Sequence, residues 1–261
     1  MFEIVRFESE RRVPAAITIA VGLSLFAALF LAVAPDVIAE VDLEAYANAF
    51  PEALQTAFGI ESLGTLEGFL ATELYQFGWV LLLGLYFAYT AGGTVAGDVE
   101  RGRMDMLLST PVSRSQVVVE KFLSLVPVVL FVNVVVGAVV YAGSILIAEP
   151  LALAPLVAVH ALSIPYLLVC SAVGLLYSVA LARESLAQRA GIATVFGLFM
   201  VQSVVTDTDF EFLGLLSPTR YYSPSEVLVE ETYDLVGAAI LTEATVLLVV
   251  ASVLWFQRRD I

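Results

Sequence analysis

Residues 122–148 read FLSLVPVVLFVNVVVGAVVYAGSILIA and contain no Asp, Glu, Lys or Arg. A helix that crosses the hydrocarbon core of a bilayer needs about 20 predominantly apolar residues. We therefore predict a membrane-spanning helix here. Pro127 predicts a kink near its start, because proline interrupts the hydrogen-bond ladder of a helix.

Five further apolar stretches flank this one along the chain. Of the 261 residues, 60% are hydrophobic and 15% are charged, against about 45–50% and about 25% in soluble domains. The sequence thus predicts an all-α integral membrane protein, forming a single domain over residues 1–261 with six transmembrane helices. The other five predicted spans are residues 14–34, 77–97, 153–182, 190–206 and 235–256.

Basic residues are distributed unequally between the two sides of such a six-span arrangement. The side that holds both termini, residues 98–121 and residues 183–189 carries eleven of the twelve Lys and Arg residues, and the other side carries Arg220. Positive residues accumulate on the cytoplasmic side of membrane proteins. We therefore expect a protein of the cell membrane with both termini in the cytoplasm.

Acidic residues show the opposite distribution. Sixteen of the 26 lie in the predicted external segments 35–76 and 207–234 and at Glu149. One interpretation is a surface adapted to high salt, and the other is a vestibule that concentrates cations. We favour salt adaptation, because no pattern organises these carboxylates into a metal site. The net charge of −14 argues against nucleic acid as a partner, since phosphates would be repelled.

The segment between the second and third predicted spans, residues 98–121, reads DVERGRMDMLLSTPVSRSQVVVEK. Met104, Leu107 and Leu108 share one face of a helix by their spacing. That helix should stop near Ser109, because Pro111 disfavours helical backbone at the residue before it. A short amphipathic helix of this kind needs a partner for its apolar stripe, and the pattern leaves open whether that is the lipid interface or a cytoplasmic protein.

A second helix is predicted directly after this turn. Ser113 and Gln116 have the spacing of a capping box, which satisfies free amides at a helix start. The new helix would run without interruption into residues 122–148. Ser185 and Gln188 repeat this spacing in the segment before the fifth span.

Residues 100–114, ERGRMDMLLSTPVSR, followed by Lys121, resemble the cytoplasmic loop of ATP-binding-cassette (ABC) type-2 permeases. The shared features are an acidic–basic pair, a glycine, a Leu-Leu pair, a Pro-Val-Ser-Arg run and a lysine before the next span. This chain has Arg103 and Met104 where the family commonly has a threonine after the glycine. The resemblance is nearest to the branch that includes the nitrous-oxide-reductase maturation permease.

The resemblance implies a coupling helix that sits in a groove on a separate ABC ATPase subunit. That partner would use ATP and Mg²⁺, and this chain would bind no cofactor itself. Two permease subunits would pair, as a homodimer or as a heterodimer with a related permease. In the family, the region matching residues 217–224 forms short helices at the outer gate. The residues implied to contact or orient the ATPase are Glu100, Arg101, Leu107, Leu108 and Arg114.

Catalysis by this chain is not expected. A phosphate-binding loop requires Gly-x-x-x-x-Gly-Lys-Ser/Thr, and the sole lysine, Lys121, lacks these glycines. With one histidine, His160, and one cysteine, Cys170, neither a two-histidine haem site nor a ligand cluster for catalytic zinc is available. We predict no catalytic and no metal-binding residues.

Polar residues inside predicted spans are functional candidates by default. Glu243, in the sixth span, is a candidate for the transport pathway, or for a protonated carboxylate bonded within the bundle. His160 is expected to be a hydrogen-bonded packing residue. Asn133 and Gln202 are expected to bond between helices.

Two rival functions remain open. An ion-coupled secondary carrier usually shows repeats and several intramembrane charges, whereas only Glu243 qualifies here. A non-transporting membrane scaffold or sensor is the other alternative. Dependence on a partner ATPase would separate the exporter from both, and the sequence does not identify the transported substrate.

Overall fold

A computed structural model describes residues 3–40, 49, 64–206 and 208–259, and these residues form helices without any strand. Six of the helices are long and apolar enough to cross a membrane, so the described part of the chain is an all-α, multi-pass membrane protein. The helices are α1 (Glu3–Glu40), α2 (Leu66–Glu100), α3 (Arg103–Leu108), α4 (Arg114–Leu146), α5 (Leu153–Ala180), α6 (Glu184–Val205), α7 (Pro224–Leu228) and α8 (Leu235–Arg258). All except α3 and α7 are long, and α2 includes a π-helical segment and a turn before its last five residues.

Helices α1 and α2 extend beyond their predicted spans, whereas α5 ends two residues before its predicted limit. Helix α1 continues through Pro35 to Glu40, and α2 already begins at Leu66. The predicted external segment 35–76 is therefore partly helical at both ends, and its residues 41–48 and 50–63 lie outside the described residues. Helix ends are not membrane boundaries, so the span limits stay predictions.

Helix α4 is interrupted where the sequence predicts a kink. A turn at Ser124 and Leu125 separates Arg114–Leu123 from Val126–Leu146, and Pro127 lies in the first turn of the second piece. Proline is tolerated there because first-turn amides have no partner within the helix. Pro165, by contrast, lies within α5, which continues past it without a break.

Helix α5 is at the centre of the bundle and packs against α2, α4, α6 and α8. Its approach to α2 depends on Gly174, where a Cβ atom would lie 2.1 Å from the backbone oxygen of Ala88. Gly191 of α6 reaches the same point, since its Cβ would lie 3.2 Å from that oxygen. Glycines thus let three backbones meet here, as small residues do in membrane bundles.

The bundle has two distinct ends. The basic end comprises the start of α1, helix α3, the α5–α6 connection and the end of α8. Arg114 and Arg259 connect the end of α8 to α4 and α5, and Glu120 and Lys121 of α4 hold the start of α1. The acidic end comprises two 3₁₀ helices (Glu211–Leu216 and Pro218–Tyr221) and α7. Short helices therefore do occupy the region predicted to contain them.

Candidate functional site

Helix α3 is the short amphipathic helix that the sequence predicts, and it ends at Leu108 with Ser109 as its cap. Gly102 precedes it with a φ of +66°. This left-handed conformation is one that glycine adopts without a side-chain clash, and it reverses the chain between α2 and α3. After the turn, the Ser113 hydroxyl accepts the Gln116 amide at 3.1 Å, so the predicted cap of α4 is confirmed.

The apolar stripe of α3 is covered by the chain itself. Met104 is 1% exposed and belongs to a buried cluster with Val117 of α4 and Phe256 of α8. Leu107 and Leu108 are half-buried and pack against the same cluster. The sequence predicts that the lipid interface or another protein covers this stripe. That expectation is wrong, because α4 and α8 supply the apolar surface.

The outward face of α3 consists of other residues. Met106 is 66% exposed, and Asp105 and Ser109 beside it are exposed as well. Helical periodicity places Met106 on the face opposite Met104, Leu107 and Leu108. This placement could have identified Met106 from the sequence as the apolar side chain that faces outward. If a partner touches α3, it meets Met106 before Leu107 or Leu108.

Glu100 and Arg101 connect the end of α2 to the start of α6. Glu100 Oε2 accepts the Glu184 amide at 2.7 Å, and Arg101 Nη1 lies 2.5 Å from Glu184 Oε2. The predicted capping by Ser185 is wrong, because α6 begins one residue earlier and Ser185 lies inside its first turn. A carboxylate from a distant helix thus satisfies one of the free amides at this helix start.

Arg114 binds the C-terminal end of α8. Its guanidinium donates to the backbone oxygen of Arg259, and Arg259 in turn donates to the backbone oxygen of Val179 at 2.7 Å. The last carbonyls of a helix have no partner within the helix and carry its negative dipole end. Two arginines therefore hold the ends of α8 and α5 beside the start of α4.

A buried ionic cluster, here defined as Glu8, Asp98, Arg103 and Lys121, lies beneath α3. Lys121 is 1% exposed, and its Nζ lies 2.8 Å from Glu8 Oε1 and 2.5 Å from Asp98 Oδ2. Arg103 Nε donates to Asp98 Oδ1 at 2.8 Å. These contacts join α1, α2, α3 and α4. Arg103 and Lys121 belong to the loop pattern seen in the sequence, but that pattern did not predict that they pair with Glu8 and Asp98.

The start of α1 is held by the neighbouring carboxylate. Glu120 Oε2 accepts the amides of Ile4 and Val5 at 3.0 and 3.3 Å. Gln116 donates to the other oxygen of Glu120 at 2.7 Å. Helix α4 therefore fixes both the N-terminus of α1 and, through Lys121, its second turn.

A second polar group lies inside the bundle between α2, α4 and α5. His160 bonds Tyr75 through Nε2 and Asn133 through Nδ1, each at 3.0 Å. Ser163 donates to Asn133 Oδ1 at 2.9 Å and accepts from Trp79 Nε1 at 3.1 Å. His160 and Asn133 are thus buried and bonded between helices, as predicted. A π-helical segment, Ala71–Leu83, carries Tyr75 and Trp79 on one face toward α5.

Gln202 does not make the bond predicted for it, and of the two roles predicted for Glu243 the pathway role stays a prediction. Gln202 donates to Thr206 at 3.2 Å within α6 rather than to another helix. Glu243 lies exposed on α8, because Leu241 and Thr245 on either side of it face inward. A carboxylate bonded inside the bundle is therefore excluded for the single chain. Among the described residues, no group of three or more His, Cys, Asp or Glu has a geometry that could hold a metal ion.

Comparison with known proteins gives one family. The family model described as "ABC-2 family transporter protein" matches residues 16–261, from within α1 to the end of the chain. No curated protein matches the sequence.

Proposed function

The chain belongs to the ABC-2 family of transporter proteins, and from this we propose that it is the permease subunit of an ATP-driven exporter that couples to a separate ATPase. The family is a membrane transport component and implies an ABC ATPase as partner. The six long apolar helices agree with such a subunit. Two parts of the proposal go beyond family membership: the direction of transport, which is export, and coupling through the segment 98–121.

One observation carries the proposal, and it is the anchorage of α3. This short helix is attached to α2 and α4 through Arg103, Asp98 and Lys121. Glu100 and Arg101 connect the same corner to α6. A force on the outer face of α3 would therefore be transmitted to several spans as a rigid-body movement, the kind of motion that switches a cavity between two openings.

The contacts also refine which residues would meet the ATPase. We propose that Met106 and Asp105 form the contact surface. Leu107 and Leu108 fasten α3 to the bundle, while Glu100, Arg101 and Arg114 orient it through their bonds to α6 and α8. Replacing the two leucines would therefore test folding, whereas replacing Met106 tests the contact.

ATP and Mg²⁺ would be handled by the partner. Lys121 is buried between two carboxylates, where it supports the bundle and has no access to a nucleotide phosphate. We also propose that the chain belongs to the branch that includes the nitrous-oxide-reductase maturation permease. This proposal rests on the loop residues alone.

We further propose a cell-membrane protein with both termini cytoplasmic, acting as a homodimer or a heterodimer with a related permease. The exposed position of Glu243 supports pairing, because a carboxylate facing hydrocarbon is costly. A second permease or a water-filled path beside α8 would cover it. In that arrangement, Glu243 lines a pathway between subunits and not one inside a single chain.

The test is purification of the tagged chain in mild detergent, with the co-purifying ATPase identified by peptide mass spectrometry. We expect Met106→Asp to lose the ATPase while retaining wild-type thermal stability. Leu216→Asp, at an exposed position of the acidic end, is the matched control and should retain the partner. A wild-type chain that purifies without any ATPase, or transports without ATP, would favour the ion-coupled carrier or the scaffold.

A further inference from the structure

A cavity of about 300 Å³ opens at the basic end between α1, α2 and α6. Four arginines line it, from α1, from the α2–α3 turn and from α3: Arg11, Arg12, Arg101 and Arg103. It lies beside the ionic cluster, yet the proposed coupling contact at Met106 makes no use of it. Four positive side chains thus line one cavity in a chain whose net charge is −14.

The carboxylates around the cavity do not neutralise it. Counting the four arginines and the adjacent Lys121, five cations face three carboxylates: Glu8, Asp98 and Glu184. Asp98 is shared by Arg103 and Lys121, and Glu184 is taken by Arg101. An excess of two positive charges therefore remains, and Arg11 and Arg12 share the single carboxylate of Glu8 with Lys121.

Arg12 pairs with Glu8 but has an N–H group without a hydrogen-bond acceptor. Its side chain is 17% exposed, and its Nε is buried with no hydrogen-bond acceptor among the described residues. Its Nη2 lies 3.9 Å from Glu8 Oε2, and Arg11 Nη1 lies 3.9 Å from the same oxygen. Both separations exceed hydrogen-bond length, and a buried N–H without an acceptor carries a desolvation cost. An acceptor from outside the chain would remove that cost.

We propose that this cavity binds a phosphate group, with Arg12 as its principal donor and Arg11 as the second. A guanidinium matches phosphate oxygens in a two-pronged geometry that an ammonium does not reproduce. The volume is at the lower limit of about 300–1,000 Å³ for sites of drug-sized ligands. It suits a headgroup phosphate better than a nucleotide.

The position of the cavity favours a membrane lipid as the source of the phosphate. Its walls continue into the apolar spans at Ala15 of α1 and at Tyr86 and Tyr89 of α2. Tyr89 is 44% exposed, and tyrosine is enriched at the level of lipid headgroups. A phosphodiester seated at Arg12 would leave its acyl chains along the outer faces of these helices. Free phosphate has the same chemistry and is the competing source.

The experiment is native mass spectrometry of the detergent-solubilised full chain titrated with phosphatidylglycerol, compared with an anionic diacyl lipid that carries a carboxylate instead of phosphate. We expect Arg12→Gln to weaken phosphatidylglycerol binding about tenfold or more, since charge-assisted hydrogen bonds are lost. The affinity of Arg12→Lys should lie between those of wild type and Arg12→Gln, because lysine keeps the charge but lacks the two-pronged geometry of the guanidinium. Arg6→Gln is the matched control, since Arg6 lies on the same helix, pairs only with the exposed Glu10 and does not line the cavity.

Each outcome bears on the proposal. Equal weakening by Arg12→Gln and Arg6→Gln, or equal binding of the phosphate and carboxylate lipids by wild type, would overturn it. Inorganic phosphate is the last comparison. If excess phosphate displaces the lipid, and phosphate alone stabilises the protein, the phosphate site stands but a membrane lipid is not its source. Among the described residues Arg12 contacts an acceptor only at 3.9 Å, in Glu8, and Glu8 keeps its hydrogen bond to Lys121 when Arg12 is replaced. Unchanged thermal stability of both glutamine variants is therefore expected and distinguishes loss of binding from loss of fold.

Discussion

The two ends of the bundle are held together by different kinds of contact. At the basic end, charged side chains join helices that are far apart in sequence, as Lys121 joins Glu8 and Arg259 joins Val179. At the acidic end, neutral groups join such helices. For example, the Tyr222 hydroxyl donates to the backbone oxygen of Val159 at 2.8 Å. Among the described residues of that end, the ion pair between Arg220 and Glu211 joins neighbouring 3₁₀ helices only.

The difference shows where a displacement can be transmitted. Buried ion pairs and arginine caps link α1, α2, α4, α5 and α8 to the corner that carries α3, so these elements should move together. The described residues of the acidic end are joined to other helices by neutral contacts, and their one ion pair, Arg220 with Glu211, is local. This contrast supports the proposed coupling site at the basic end, and salt adaptation of the acidic end stays a prediction.

The largest effect is expected from Lys121→Met. It leaves Glu8 and Asp98 without their buried partner, which should cost about 3–5 kcal/mol. Thermal denaturation in detergent measures the loss. Arg6→Met breaks an exposed pair with Glu10 on the same helix and should cost about 0–1 kcal/mol. Similar losses for the two variants would contradict a special role for the buried cluster.

Gly174→Ala should produce the next largest effect. The new methyl group would meet the Ala88 oxygen, force α2 away from α5 and cost about 1–3 kcal/mol. Gly197→Ala, in α6 with open space around it, should instead stabilise by up to about 1 kcal/mol. The melting temperatures of the two variants should shift in opposite directions relative to wild type. If both rise, the contact between α2 and α5 tolerates a wider spacing.

At the acidic end, Tyr222→Phe should have a smaller effect. Removing the hydroxyl deletes one buried hydrogen bond to Val159, worth about 0.5–1.5 kcal/mol, and leaves the ring in place. The same melting assay applies. A loss as large as that of Lys121→Met would remove the distinction between the two ends.

The smallest effect is expected from Glu211→Gln. Its ion pair with Arg220 spans 2.8 Å but is substantially exposed, so it should contribute about 0–1 kcal/mol. Comparing the variant with wild type at low and high ionic strength checks this, because screening should reduce the small difference further. A difference that persists at high salt would show that the pair is more enclosed than its exposure indicates.

Local patterns in the sequence predicted much of the loop that carries α3. Pro111 and the Ser113–Gln116 spacing act on their own backbone, and the helix stop and the new cap both occur as expected. The failed cap at Ser185 had the same spacing. There, Glu100 from another helix supplied the acceptor, so a local rule was overridden by a tertiary contact.

The candidate site was predicted less completely. Glu100, Arg101 and Arg114 do lie at one corner, but each bonds within the chain, and the most exposed apolar side chain of α3 is Met106 rather than Leu107 or Leu108. A stripe on a short helix shows that one face is apolar. Whether that face meets a partner or the chain's own core depends on what lies beneath it.

What the amino-acid sequence determined by itself is the membrane class, the six apolar helices and the unequal charge of their two ends. Apolar length and helical periodicity are properties of contiguous residues, so no tertiary knowledge is needed to see them. The tertiary structure decided which charges pair, that Glu243 faces outward, and that Arg12 lacks an acceptor beside a cavity. These are relations between residues far apart in the chain, and helix packing alone brings them within a few ångströms of one another.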